Sequence, residues 1–317
     1  MSDPRKMVRP GNEAGSTRTS DWDRFADEGS PLAAALAEDM KRLAAIGDGE
    51  FKKPSRTRII AVANQKGGVG KTTSAVNLAA ALAKGGLRVL VVDDDPQGNA
   101  STALGVHERE GLPSLYDVLL KRQSLLSILR PTEKLPNLYV APSNIDLALI
   151  DVELADEVDR RTRLRDVLNE CLDALEEHGT RMDYVLIDCP PSMSLLPINA
   201  LIAAHEVLIP VQAEYYALEG LTQLLRTIEG ARSTANPSLE ISTILLTMFA
   251  KSTNLSGEVA ENVRDYFPKQ TLETEIPRSV RIAESPSYGE TVITYAPRSS
   301  GAIAYMAAAH ELANRAN

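Results

Sequence analysis

Asn64-Gln65-Lys66-Gly67-Gly68-Val69-Gly70-Lys71-Thr72-Thr73 follows the apolar run Ile59–Ala63 and opens the apolar helical pattern Thr72–Ala83. A strand, a glycine-rich turn and a helix in that order predict a phosphate-binding loop. Glycines let backbone N–H groups curl round an anion, and the helix N-terminus adds partial positive charge. Lys71 is placed to reach β- and γ-phosphates, and the Thr72 hydroxyl to ligate Mg²⁺. The loop departs from G-x-x-x-x-G-K-[ST], because Gln65 stands where the first glycine belongs. What remains is K-G-G-x-G-K-T, with a second lysine at Lys66.

Outward from the loop, apolar runs alternate with helical patterns. Strands are expected at Ile59–Ala63, Arg88–Asp93, Leu138–Ala141, Tyr184–Asp188, Val207–Val211, Ile241–Met248 and Thr271–Ile276. Helices are expected at Thr72–Ala83, Thr162–Glu177, Leu218–Ala231 and Ser256–Tyr266. Several strands are continuously apolar, as strands buried on both faces of a parallel sheet are. The fold class is therefore α/β, a mainly parallel sheet flanked by helices, of the P-loop NTPase type. Ligands of such sheets bind beyond the carboxyl ends of the strands. Two carboxylate groups end strands there, Asp93-Asp94-Asp95-Pro96-Gln97 and Asp188-Cys189-Pro190-Pro191. Either alone reads as a solvated turn; beside the loop they suit Mg²⁺ or an attacking water.

The chain has 317 residues, 44% hydrophobic and 24% charged, enough to bury a core and too apolar for wholesale disorder. Its net charge of −9 argues against a protein coated in nucleic acid, although a local basic patch is compatible with it. Cys171 and Cys189 are too few for a disulfide framework or a four-thiolate metal site, which favours a reducing cytoplasm. Apolar runs such as Ala75–Ala83 are too short for a membrane helix, and no apolar stretch follows the basic residues at the N-terminus. Residues 1–57 are expected to form an N-terminal extension, largely flexible, with a short helix near 32–45, and residues 58–317 the P-loop domain. Ser30 and Pro31 suit a helix start, and Leu32, Leu36, Met40 and Leu43 recur at helical spacing. That helix reads as packing on the body or fraying, with docking to a partner as the functional alternative.

The quoted loop, Asp93-x-Asp95-Pro96-Gln97-Gly98-Asn99-Ala100, Asp188-x-Pro190-Pro191, Glu214-Tyr215-Tyr216-Ala217-Leu218-Glu219-Gly220 and Ile276-Pro277-Arg278-Ser279-Val280-Arg281 with Glu284-x-Pro286 together resemble the ParA/Soj family of chromosome-partitioning ATPases. The resemblance runs from about Arg58 to the C-terminus. It implies ATP/ADP and Mg²⁺ as cofactors, with Lys66, Gly67, Gly68, Val69, Gly70, Lys71, Thr72 and Thr73 cradling the phosphates. By the same resemblance, Lys66 crosses a dimer interface, Lys71 binds phosphate and Asp95 positions the hydrolytic water; these three are the catalytic candidates. Thr72, Asp95 and Asp188 are the metal candidates, and Met248 and Pro277 line an adenine pocket. The family's ATP-dependent homodimer binds double-stranded DNA without sequence preference, and a ParB-type centromere-binding protein triggers hydrolysis. Lys251, Arg278, Arg281 and Arg298 are the DNA candidates, and a cytoplasmic, nucleoid-associated location follows. A polar scaffold contacting the N-terminal extension is a further partner of this kind; a membrane is not.

The chain also departs from that family. Ala250, Ser252, Ala296 and Ser300 replace commonly charged residues, so Ser252 cannot supply a DNA-contacting arginine and the neighbouring Lys251 is the substitute. Asp94 stands where an apolar residue is common and crowds three acids together. A MinD-type membrane-cycling ATPase would need a basic, bulky amphipathic C-terminus, whereas Ala307–Asn317 is alanine-rich with one arginine. A metabolic ligase or amidase would need a nucleophile motif that neither cysteine shows, and an iron–sulfur reductase its own bridging cysteines. Plasmid partition ATPases with a DNA-binding N-terminal domain are close kin, but residues 1–57 show no helix-turn-helix pattern. Those residues carry ten acidic and ten basic side chains, so the acidity belongs to the body. A doubled basic patch in a dimer would then add phosphate contacts that a monomer lacks.

Overall fold

The computed structural model describes residues 37, 39–42, 44, 46–47, 51–106, 112–192, 194–214, 217–250 and 254–315. It has seven strands among them: β1 (Arg58–Val62), β2 (Val89–Asp93), β3 (Arg130–Pro131), β4 (Leu138–Ala141), β5 (Tyr184–Asp188), β6 (Glu206–Gln212) and β7 (Glu240–Thr247). They form one sheet in the order β3-β4-β2-β5-β1-β6-β7. All pairs are parallel except β3 with β4. β1 lies between β5 and β6, so the chain leaves it at the point where the strand order reverses.

The principal helices are α1 (Lys71–Lys84), α2 (Asn99–Ala103), α3 (Arg163–Glu177), α4 (Leu195–Ala203), α5 (Ala217–Thr234), α6 (Asn254–Tyr266), α7 (Val280–Glu284) and α8 (Ser300–Asn314). Strand alternation sorts the core into two layers. Ile59, Ala61, Leu90, Val92, Val185 and Ile187 face α3, α4, α5 and α6. Ile60, Val62, Val89, Val91, Tyr184 and Leu186 face α1, α2 and α8. With both faces covered, β1, β2 and β5 are buried at every position, which is why they read as unbroken apolar runs.

The expected strand Thr271–Ile276 is not a strand. Leu272 and Ile276 donate to Ile244 and Leu246 of β7, but the N–H groups of Glu273 and Thr274 go to the Glu311 carboxylate of α8. A side chain interrupts the ladder where strand pairing would continue. The sequence reading also missed β3 and the helices α4 and α8. The chain divides into two compact units, Met1–Lys41 and Arg42–Asn317. Of the expected helix near 32–45, residues 37, 39–42 and 44 are helical, and the rest of it lies outside the described residues. Phe51 is buried in the second unit and donates its N–H to Gly85.

At the base of the sheet, Arg58 forms a bidentate pair with Glu206 (2.7 and 2.6 Å) and donates to the Leu312 carbonyl (2.9 Å). This buried cluster ties β1, β6 and α8 together. Its guanidinium is held charged, because the carboxylate outweighs the cost of burial.

Candidate functional site

The loop after β1 is anchored before it turns. The Asn64 side chain donates to the Pro210 carbonyl on β6 (2.8 Å) and accepts the Lys66 N–H (3.0 Å). Gly68 and Gly70 then take φ of +74° and +86°, where a Cβ would cost about 1–2 kcal/mol. Thr247, at the end of β7, donates to the Val69 carbonyl (2.8 Å) and closes the loop's other side. Gly70 precedes α1 and no side chain caps that helix, so the N–H groups of its first turn have no intrahelical acceptor. Free amides, a helix dipole and a glycine curl together form an anion cradle.

The loop's two lysines stand in different settings. Lys71 is buried, with Nζ 3.4 Å from the Lys66 carbonyl. Burial lowers its pKa, while Asp188 and Asp95 pull it partly back. Lys66 lies at the rim, its ammonium 3.6 Å from the Glu214 carboxylate, with both side chains substantially exposed. Such a pair contributes less than about 1 kcal/mol, so Lys66 exchanges partners cheaply.

Parallel pairing aligns the acids. Asp93 and Val62 are both register partners of Asp188, so the carboxyl ends of β2, β5 and β1 meet beside the loop. Asp93 is committed to structure, accepting the Ser101 N–H (2.7 Å) and hydroxyl (2.6 Å), and burial pushes it up to about 6. Asp188 is 0% exposed and neither oxygen accepts a hydrogen bond. Burial drives its pKa well up, with Thr72 and Lys71 offsetting part of the rise. Asp95 sits at the mouth, 9% exposed, with one oxygen taking the Gln97 N–H (3.0 Å).

Asp94 continues the alternation of β2 on the side of Val92, the layer that also holds Cys189 and opposite Asp93. It is 0% exposed and both oxygens lack partners. Its pKa is driven well up, chiefly by burial and then by the charges of Asp93, Asp188 and Asp95. Both thiols are buried and pushed up as well, Cys171 to about 11, which suits inert cysteines.

A divalent cation fits this donor set. Asp188 leaves two buried oxygens unspent near the Thr72 hydroxyl, where a cation or its water would satisfy them. Among the described residues no group of three or more His, Cys, Asp or Glu is arranged to hold a metal by itself. Phosphate oxygens and water would therefore supply most of the coordination, as is usual for Mg²⁺.

Met248, next after β7, has φ +51°, an uncommon conformation for a non-glycine residue. Phe249 pairs with Pro277 in an isolated bridge, donating to the Ile276 carbonyl (2.9 Å) and accepting the Arg278 N–H (3.3 Å). Met248 and Pro277 thus come together on a wall beside the loop, joined to it through Thr247. Arg278, Arg281 and Arg298 are exposed. Arg281 pairs with Glu284 (3.1 Å) on the surface. The close fit of Gly301 against Ile282 and Ser279 packs the start of α8 on α7, and Arg298 precedes that contact by three residues. Lys251 and Ser252 lie outside the described residues. Sequence reasoning missed the roles of Asn64, Ser101, Glu214 and Thr247. Asn64 and Glu214 lay in quoted motifs, but Asn64, Ser101 and Thr247 act on distant segments.

Residues 57–241 match the family model described as AAA domain. The chain is 47% identical over 271 residues to the chromosome partitioning protein ParA of Myxococcus xanthus, covering 86% of this chain and 93% of that protein. It is 47% identical over 256 residues to the sporulation initiation inhibitor protein Soj of Bacillus subtilis, covering 81% and 98%. Among solved structures it is similar to a Mycobacterium smegmatis protein described as cobyrinic acid a,c-diamide synthase with bound ADP and magnesium, at 37% identity and TM-score 0.66, covering 79% and 91%. Relatives named for chromosome partition align over nearly their whole length, and the phosphate loop and strand-end acids lie together in space; the chain belongs to the ParA/Soj family of chromosome-partitioning ATPases.

Proposed function

We propose that this partition ATPase, with ATP/ADP and Mg²⁺ as its cofactors, works by an ATP-dependent homodimer. The dimer binds double-stranded DNA without sequence preference and is released when a ParB-type centromere-binding protein stimulates hydrolysis. The observation that supports it most is the unequal placing of the two loop lysines. Lys71 is buried in its own cradle, whereas Lys66 is at the rim on a weak tether to Glu214, free to reach a second subunit's phosphates.

Lys71, the loop amides from Gly67 to Thr73 and the helix dipole of α1 hold the phosphates. Thr72 would ligate the cation and Asp188 would hold it through water. Bound Mg²⁺ neutralises charge on the phosphates. Asp95, at the mouth, orients the attacking water, and Lys66 from the partner adds positive charge where the leaving phosphoryl charge develops. Met248 and Pro277 flank the base. Arg278, Arg281 and Arg298 contact DNA phosphates, with Lys251 as a further contact, and pairing two such patches overcomes the repulsion of the acidic body. The active protein resides on the nucleoid.

Phosphate release measured with DNA and the cognate ParB-type protein, singly and together, tests this. Stimulation by both beyond the sum of each is expected. Rates that ignore DNA and the ParB-type protein would overturn the reading.

A further inference from the structure

A pocket of about 340 Å³ opens away from the phosphate loop, between the end of α2 and the 288–294 segment. Its walls include Leu104 and Gly105, Glu133 and Lys134 from the turn before β4, and Tyr288, Glu290 and Thr291. Glu290 is half-satisfied. Lys134 holds one carboxylate oxygen at 2.5 Å, and the other, buried, has no partner. Thr291 is 3% exposed and its hydroxyl is also unpartnered. It stands in the N-cap position of the turn Val292–Tyr295 without capping it, and the Val292 N–H goes to the Asn77 side chain of α1 (2.8 Å).

An ammonium is a point donor, and a carboxylate offers two oxygens. A guanidinium presents a planar fork that matches both. Lys134 is 56% exposed and Glu290 only 18%, so the ammonium can return to water while the carboxylate stays in the pocket wall and needs a cationic partner. Glu133 adds a second negative charge. Tyr288, exposed and stacked on Tyr295 at 4.9 Å, offers an aromatic face to a cation.

We propose that this pocket receives an arginine side chain of a protein partner, which displaces Lys134 and takes both oxygens of Glu290. Leu104 and Gly105, which follow α2, form one wall of the site. The site is independent of the proposed nucleotide cycle, and its test uses neither nucleotide nor DNA.

The test is an NMR titration of the full chain with a blocked Gly-Arg-Gly tripeptide, with Gly-Lys-Gly and Gly-citrulline-Gly as comparators. The arginine peptide should bind more tightly than both. Glu290→Gln should weaken it by about tenfold. Lys134→Ala, which removes the competitor, should tighten it by about threefold, and this opposite sign separates binding from a folding defect. Equal binding of the citrulline peptide, unchanged binding by Glu290→Gln, weaker binding by Lys134→Ala, or no binding at about 10 mM peptide would each overturn the proposal.

Discussion

Replacing Asp94 by valine exchanges a buried carboxyl with two unpartnered oxygens for an apolar group of nearly the same size. The site follows β2 by one residue, on the layer of Val92 and Cys189. An unsatisfied buried polar group costs about 1–3 kcal/mol, and misfit of the new side chain returns up to about 1 kcal/mol. The net gain is about 1–2 kcal/mol, which in a compact unit of this size raises Tm by roughly 2–3 °C. Protonation sharpens the expectation. The folded-state pKa of Asp94 lies well above its unfolded value of about 4. The folded chain therefore binds that proton more tightly, and this stabilisation is complete below about pH 4 and is lost progressively as pH rises. The valine variant lacks that loss, so its advantage should widen from pH 5 to pH 8. Thermal melts without nucleotide, followed by circular dichroism at both pH values, provide the assay. A lower Tm than the parent, or an advantage larger at pH 5 than at pH 8, would refute the reasoning.

Glu206→Ala strands the buried Arg58 guanidinium and should cost about 3–5 kcal/mol in urea unfolding, whereas replacing the pair together by Met and Leu should cost less. Arg281→Glu should weaken nucleotide-dependent DNA binding and lower the slope of log affinity against log salt, read by fluorescence anisotropy, while DNA-free hydrolysis persists.

Legibility followed the range of the interactions. β1, β2 and β5 were legible because burial on both faces leaves a local mark, an unbroken apolar run. The phosphate loop was legible because its glycines and lysines are contiguous. Thr271–Ile276 misled because its apolar residues Leu272 and Ile276 do face the core, while Glu311, 37 residues after Thr274, takes the N–H groups between them. α8 was missed because it buries alanines such as Ala304 and Ala308 in the layer of α1, and small residues leave little periodic signal. α4 carries Pro197 and is apolar nearly all round, so neither helix nor strand spacing stands out. In the site, the acids were found by their strand ends. That Asp93 is spent on Ser101 while Asp188 is left open depends on which way each side chain turns.

In the proposed cycle ATP closes two copies of this chain around the phosphate loop, and Asp95 is needed to reopen them. The direct measurement is the mass of Asp95→Ala in solution with ATP and Mg²⁺, by light scattering during size-exclusion chromatography. With ATP the mass should be twice the 34.3 kDa of one chain, and with ADP that of a single chain. A single chain in both nucleotides would contradict it.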